Sequence, residues 1–315
     1  MKLLVIGFLL LLAPFNDSYC QNRQIPQKPA VAEKIIRTSD GVELMVRIKG
    51  SGPPCLFLHG GPGSGSHWTE KISDGLLERH FRMIYLDQRG VERSSSPEDG
   101  NYSLERMVAD FEEVRQELGI DSWITMGHSF GGILQAGYAH RHPEVHRGIV
   151  MLNCTLNLKE TFAESWLPKA CEFLGIANLE PYIDENIPIM KRLNKLVAQM
   201  KDQDIFWKMA YCSPDNEKIV NSASCEIPNH NYDQGGAILE FREYWGDFKS
   251  ITADIEVPVL FFSGKTDWMA GPLNFQGVKF PIMMLWESQV GHVAILENRP
   301  DLEKALVTYL EKYKF

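Results

Sequence analysis

The sequence predicts an α/β fold in which a mostly parallel central sheet is flanked by helices and carries an inserted helical cap. Short continuous apolar runs such as Cys55-Leu56-Phe57-Leu58 and Met83-Ile84-Tyr85-Leu86 have the length and composition of strands covered on both faces. Between such runs lie stretches of helical period: Met107, Val108, Phe111, Val114 and Leu118 fall on one helix face. Strand and helix in alternation build a parallel sheet. From about residue 156 to 251 the strand rhythm stops, which marks the insertion.

The 315 residues are 44% hydrophobic and 23% charged, a composition that supports one large core. A formal net charge of −9 with no Lys/Arg block excludes a nucleic-acid partner, because phosphate neutralisation needs a basic face. At the start, Lys2 precedes the apolar run Leu3 to Ala13, too short to span a bilayer and suited to a signal-peptide core. Residues 1–20 therefore read as a signal peptide cleaved after Ser18-Tyr19-Cys20, and the mature chain is expected in the periplasm or outside the cell, with no membrane span. A lipid anchor on Cys20 fits less well, since the bulky Tyr19 stands where such signals carry a small residue.

Cys55 and Cys154 sit in apolar runs and read as buried small hydrophobes. Cys171, Cys212 and Cys225 share a later region where export would permit a disulfide. No C-x-x-C spacing is present, so neither zinc nor another metal is expected, and nothing calls for an organic cofactor.

After a polar connector from Gln21 to Pro29, Ala32 to Thr38 and Glu43 to Lys49 read as an edge hairpin around Ser39-Asp40-Gly41. Cys55 to Leu58 ends in His59-Gly60-Gly61-Pro62-Gly63, a loop of small and rigid residues whose N–H groups could face a cavity. Met83 to Leu86 feeds the turn Asp87-Gln88-Arg89-Gly90, and a helix from Leu104 to Leu118 leads to the next strand, at Trp123. His146 to Met151, Val257 to Ser263 and Ile282 to Trp286 supply further buried-strand candidates, and a helix from Asp301 to Lys314 closes the chain. The core is thus expected over 21–155 and 252–315. The cap, 156–251, has helical stretches at Glu160 to Leu174 and Ile189 to Lys201 and would fold over the carboxyl ends of the strands, where open α/β sheets bind ligands.

The chain is organised around Trp123-Ile124-Thr125-Met126-Gly127-His128-Ser129-Phe130-Gly131-Gly132. A strand-like run meets a G-x-S-x-G-G turn and then good helix formers, the context that lifts a serine to the tip of a sharp elbow. Gly127 and Gly131 lack a Cβ, so backbones can cross closely there. Ser129 is the candidate nucleophile; an inert Gly-rich turn would require neither the strand before it nor the helix after it.

These residues carry a resemblance. The chain is similar to the α/β-hydrolase superfamily, and within it to the proline iminopeptidase-like branch. Its signatures match His59-Gly60-Gly61-Pro62-Gly63, Asp87-Gln88-Arg89-Gly90 and Gly127-His128-Ser129-Phe130-Gly131-Gly132, in order and with similar spacing. Two departures stand out. The family turn continues after Arg-Gly with a further small residue before a serine, whereas this chain has Val91-Glu92-Arg93-Ser94, and the cap glutamates that hold a substrate's free amine have no obvious counterpart. Glu240 and Glu243 are candidates for that role, although two carboxylates flanking Arg242 also fit a solvated helix face.

The resemblance implies a triad in the order serine, acid, histidine. Asp267 follows the strand candidate Phe261-Phe262-Ser263-Gly264 and is the candidate acid; capping a helix is its alternative. His292, in Val290-Gly291-His292-Val293, is the sole histidine beyond His230 and is the candidate base. His128 adjoins the nucleophile, but neighbouring residues on an elbow point apart, so it is expected to pack beside the site. His59 reads as structural, as do Asp87 and Arg89, taken as a charged pair bracing a turn. Oxyanion donors are expected from the N–H groups of Phe130 and Gly61, with Gly60 the alternate.

The resulting expectation is an exported serine hydrolase working through an acyl-enzyme on a small-molecule or short-peptide substrate, foremost an aminopeptidase releasing an N-terminal proline or other small residue. A carboxylesterase-like or lactonase-like hydrolase is the alternative. A non-catalytic relative that binds a ligand under the cap is a third, which an intact triad disfavours.

Overall fold

The structure is a computed structural model and describes residues 32–315; the expected signal peptide, Cys20 and the connector from Gln21 to Pro29 lie outside the described residues. Eight strands form one sheet: β1 (Ala32–Arg37), β2 (Glu43–Lys49), β3 (Pro54–Leu58), β4 (Arg82–Leu86), β5 (Trp123–His128), β6 (His146–Leu152), β7 (Val259–Gly264) and β8 (Met283–Ser288). Their order is β1-β2-β4-β3-β5-β6-β7-β8. The β1-β2 and β2-β4 pairs are antiparallel, and every pair from β4 to β8 is parallel.

Strand burial follows position in the sheet. β5 lies in the middle and is buried at every residue, as is β7. The sequence reads β8 as a buried strand, but it is an edge strand, and Met283 to Trp286 remain partly exposed, with Leu285 36% accessible. An apolar run alone does not say whether a second neighbour will cover it.

The core helices are α1 (His67–Ser73), α2 (Leu104–Glu117) and α3 (Gly131–Arg141). Ser103 caps α2 by accepting the Arg106 N–H, and the helix buries Met107, Val108, Phe111 and Val114. Between β6 and β7 the chain is helical: α4 (Leu158–Glu160), a π-helical turn (Thr161–Trp166), α5 (Leu167–Phe173), α6 (Glu180–Ile183), α7 (Ile189–Asp202), α8 (Pro214–Ser224) and α9 (Asp233–Ala237), followed by short 3₁₀ turns. After β8 come α10 (Ala294–Glu297) and α11 (Arg299–Tyr313), the latter capped by the Asn298 side chain.

Two buried charge clusters brace the turn after β4. Arg89 binds Asp110 through two nitrogens, at 2.6 and 2.7 Å, and reaches Asp40 at 2.9 Å. Asp87 instead accepts from the Ser66 hydroxyl at 2.7 Å and from Arg93 at 2.8 Å, and lies 3.3 Å from Arg47, which also pairs with Glu70. Both residues are scaffold, but they serve separate clusters and do not pair with each other. Such charges tolerate burial because each is matched and hydrogen-bonded.

The disulfide permitted among Cys171, Cys212 and Cys225 does not form: Cys171 is a buried thiol on α5 and Cys212 an exposed thiol. Among the described residues no helix is long and apolar enough to cross a membrane.

Candidate active site

The loops at the carboxyl ends of β3, β5, β7 and β8 meet at one place. Ser129 follows β5 with φ of 56°, a left-handed conformation rare for a residue with a Cβ, and α3 begins two residues later. The turn is this tight because its glycines leave no room for side chains. A Cβ on Gly131 would lie 2.1 Å from the Leu58 carbonyl oxygen, and one on Gly127 would lie 2.3 Å from Gln135 Oε1. Ser129 itself is partly exposed.

Asp267 follows β7, and His292 lies beyond β8. The imidazole Nδ1 is 3.0 Å from both Oδ1 and Oδ2 of Asp267, with each residue 1% accessible. Asp267 also accepts the N–H groups of Met269 and Ala270 and the Asn153 amide, each at 3.0 Å. Burial alone would raise this carboxyl, but the imidazole and the donated hydrogen bonds outweigh it and hold the group below its ordinary value. Asp267 thus stays ionised beside Nδ1. On the opposite side of the ring, Nε2 makes no hydrogen bond among the described residues.

His128 and His59 are both in supporting positions. The His128 Nε2 lies 2.9 Å from the His292 carbonyl oxygen, its ring rests 4.6 Å from the His292 ring, and Trp68 meets it edge-on at 5.4 Å. Burial pushes His128 down to about 3, so it remains neutral and donates to the main chain. His59, likewise held at about 3 by burial, accepts the Gln88 N–H and bonds the Gly60 carbonyl.

The loop after β3 runs against the elbow: a Cβ on Gly60 would lie 2.6 Å from Ser129 Cβ. Among the described residues, neither the Gly61 nor the Phe130 N–H donates to another main-chain or side-chain group. A small cavity of about 20 Å³ beside His292 is lined by Gly61, Ser64, Trp68, Tyr211, Val220 and Val293, among others.

Glu240 and Glu243 do not line this cavity. Both are exposed, and the Glu243 carboxylate accepts the Leu104 N–H at the start of α2, where it caps the helix. Two residues that support the site are not evident from the sequence. Asn153 holds Asp267 from the end of β6 with φ of 52°, a conformation that asparagine adopts more readily than most residues. Glu297 accepts the N–H groups of Gly291 and Cys212 and the Asn216 amide, which joins the His292 loop to the helical insertion.

A family model described as alpha/beta hydrolase fold matches residues 53–298. The chain belongs to the α/β-hydrolase family. Within this family it falls in the proline iminopeptidase-like branch. A proline iminopeptidase from Neisseria meningitidis serogroup A is 40% identical over 328 aligned positions, covering 95% of this chain and 96% of the relative. One from Neisseria gonorrhoeae is 27% identical over 327, with the same coverage of both. Among solved structures, a proline iminopeptidase-related protein from Thermus thermophilus superposes with a TM-score of 0.73 at 20% identity, covering 90% of this chain and 98% of the other. An esterase from Exiguobacterium antarcticum gives 0.64 at 19% identity, covering 89% and 100%. The structural likenesses establish the α/β-hydrolase fold alone, while the family and the full-length relatives make the chain a hydrolase.

Proposed function

We propose that this protein is an exported serine hydrolase, foremost an aminopeptidase that releases an N-terminal proline or other small residue through an acyl-enzyme. The observation that carries the reading is the His292–Asp267 pair: Nδ1 is held by a buried carboxylate while Nε2 stays unbonded, in a chain whose Ser129 occupies a left-handed elbow. In this mechanism Ser129 Oγ attacks the scissile carbonyl and passes its proton to Nε2 of His292, and Asp267 stabilises the imidazolium. The Gly61 and Phe130 N–H groups, neither of them otherwise engaged among the described residues, receive the oxyanion, with Gly60 as alternate. The imidazolium then protonates the leaving amine, and water repeats the sequence to release the acyl group. Residues 156–251 act as the cap, a role supported by their contacts with the loops that carry both Asp267 and His292.

The substrate class rests on the full-length relatives named proline iminopeptidase. A carboxylesterase-like or lactonase-like activity is the second reading, favoured by the exposed positions of Glu240 and Glu243, which leave a substrate amine without those two partners. The signal-like residues 1–20 support export.

A fluorophosphonate probe should label the wild type and miss Ser129→Ala, and L-proline p-nitroanilide should be turned over faster than p-nitrophenyl acetate. Turnover of the ester alone would replace the peptidase reading with the esterase one, and an unlabelled wild type would remove the serine mechanism.

A further inference from the structure

Glu92 follows the turn Asp87-Gln88-Arg89-Gly90 by two residues, and its surroundings give it a purpose. Its φ is 49°, a left-handed backbone that is strained when a Cβ is present. The side chain turns inward and is 2% accessible. Its carboxyl accepts the Ser66 N–H and the His67 N–H, each at 3.2 Å. Only a glycine leaves space for it, because a Cβ on Gly65 would lie 2.0 Å from Glu92 Oε1. The Glu92 main chain meanwhile exchanges two hydrogen bonds with Asn231 of the helical insertion, at 3.0 and 2.9 Å. One residue thus joins the turn after β4, the loop after β3 and the insertion.

We propose that Glu92 is a positioning residue for the oxyanion loop: it clamps the Ser66 end so that the Gly60 and Gly61 amides keep their place against Ser129. This rests on the reading of Gly61 and Phe130 as oxyanion donors. Other contacts hold this end through side chains, the Ser66 hydroxyl accepting from Arg47 and the His67 ring meeting Glu226, whereas Glu92 holds it by the main-chain N–H groups. Ser64 N–H bonds the Gly60 carbonyl within the loop itself, and the Ser66 hydroxyl bonds Asp87. Removing the carboxyl therefore frees the consecutive amides of Ser66 and His67, a short stretch of chain away from Gly61. Oxyanion stabilisation depends on donor position within fractions of an ångström, so a loosened loop lowers turnover more than binding.

The protonation state of the carboxyl makes the idea specific. Burial and the charge of the neighbouring Asp87 push the Glu92 carboxyl well above the usual range, and Arg47 together with Arg93, 3.5 Å from Oε2, offsets only part of that. This raised value favours the protonated form of Glu92 beside Asp87. Glutamine keeps the side-chain length and an acceptor oxygen for the Ser66 and His67 N–H groups, aspartate shortens the reach, and glycine relieves the backbone while deleting the clamp.

The test compares E92Q, E92D and E92G with the wild type, using whichever of L-proline p-nitroanilide and p-nitrophenyl acetate the wild type turns over faster. Amide hydrogen exchange over residues 60–67 is followed alongside. E92Q should keep kcat within about threefold, whereas E92D and E92G should lose about tenfold or more in kcat with KM changed less than about threefold. Exchange over 60–67 should quicken about tenfold or more in E92G, and in E92D should that variant alone fold. Wild-type kcat in E92D or E92G, unchanged exchange, or an E92Q as impaired as E92D would overturn the proposal. Failure of a fluorophosphonate to label wild-type Ser129 would strike the serine mechanism instead, and the exchange comparison would still decide whether Glu92 holds the loop.

Discussion

The main-chain N–H of His292 donates to the carbonyl of Ala210 at 2.6 Å. The next bond in the same turn runs from the Trp268 N–H to the Met209 carbonyl at 3.1 Å, so one turn of the insertion grips the loops of both the imidazole and its carboxylate. Glu297 reinforces the joint by accepting from Gly291, Cys212 and Asn216. Glu297→Ala should lower stability by about 2–3 kcal/mol through unsatisfied N–H groups and cut kcat about tenfold. Glu297→Gln, which keeps one acceptor oxygen, should fall between the two. Thermal unfolding and steady-state kinetics on the pair check this.

Asp267→Asn preserves shape but allows Nδ1 to meet an amide N–H, which favours the wrong imidazole tautomer. A loss of about 10³–10⁴ in kcat with little change in KM is expected by analogy with other serine, histidine and aspartate sites. Near wild-type kcat in a folded Asp267→Asn protein would contradict the assigned role.

Gly60→Ala would place a Cβ 2.6 Å from Ser129 Cβ and 2.7 Å from the His128 carbonyl oxygen. Neither neighbour can withdraw without moving the elbow. The variant should fold less stably and lose about a hundredfold or more in kcat, because the loop after β3 is pushed off Ser129, the proposed nucleophile. Labelling by a fluorophosphonate should slow in parallel.

Acid should destabilise the fold from about pH 6.5 downward. His59 and His128 are held at about 3 by burial, whereas an imidazole in the unfolded chain takes up its proton near 6.5. Between those values the unfolded state binds more protons, so stability is retained above about pH 6.5 and lost as pH falls toward 3. Each of the two removes on the order of 1 kcal/mol per pH unit in that window. Tm measured from pH 7 to pH 4 should fall steadily; a flat profile would contradict the buried neutral state of these rings.

Much of the fold was legible because it depends on local signals. The apolar runs at Leu56 and Ile84, the helical spacing of Met107 to Val114 and the glycines flanking Ser129 act over a few residues. What was hidden depends on neighbours distant in the chain. Whether Met283 to Trp286 would be covered depended on there being no ninth strand beside them among the described residues. That Asp87 and Arg89 serve different clusters depended on Arg47 and Asp110, which the turn alone does not reveal. Glu240 and Glu243 read either as a recognition pair or as a solvated helix face, because their tertiary surroundings are invisible in the sequence; in the structure Glu243 accepts the Leu104 N–H at the first turn of α2.

The left-handed backbone at Ser129 sets reactivity against robustness. At φ of 56° the residue best tolerated by the chain is glycine, so Ser129→Gly should be inactive and yet sturdier, by on the order of 1 kcal/mol, than the protein that works. Drift toward greater thermal endurance would therefore erode the hydroxyl first, a tension that follows from the nucleophile role proposed for Ser129.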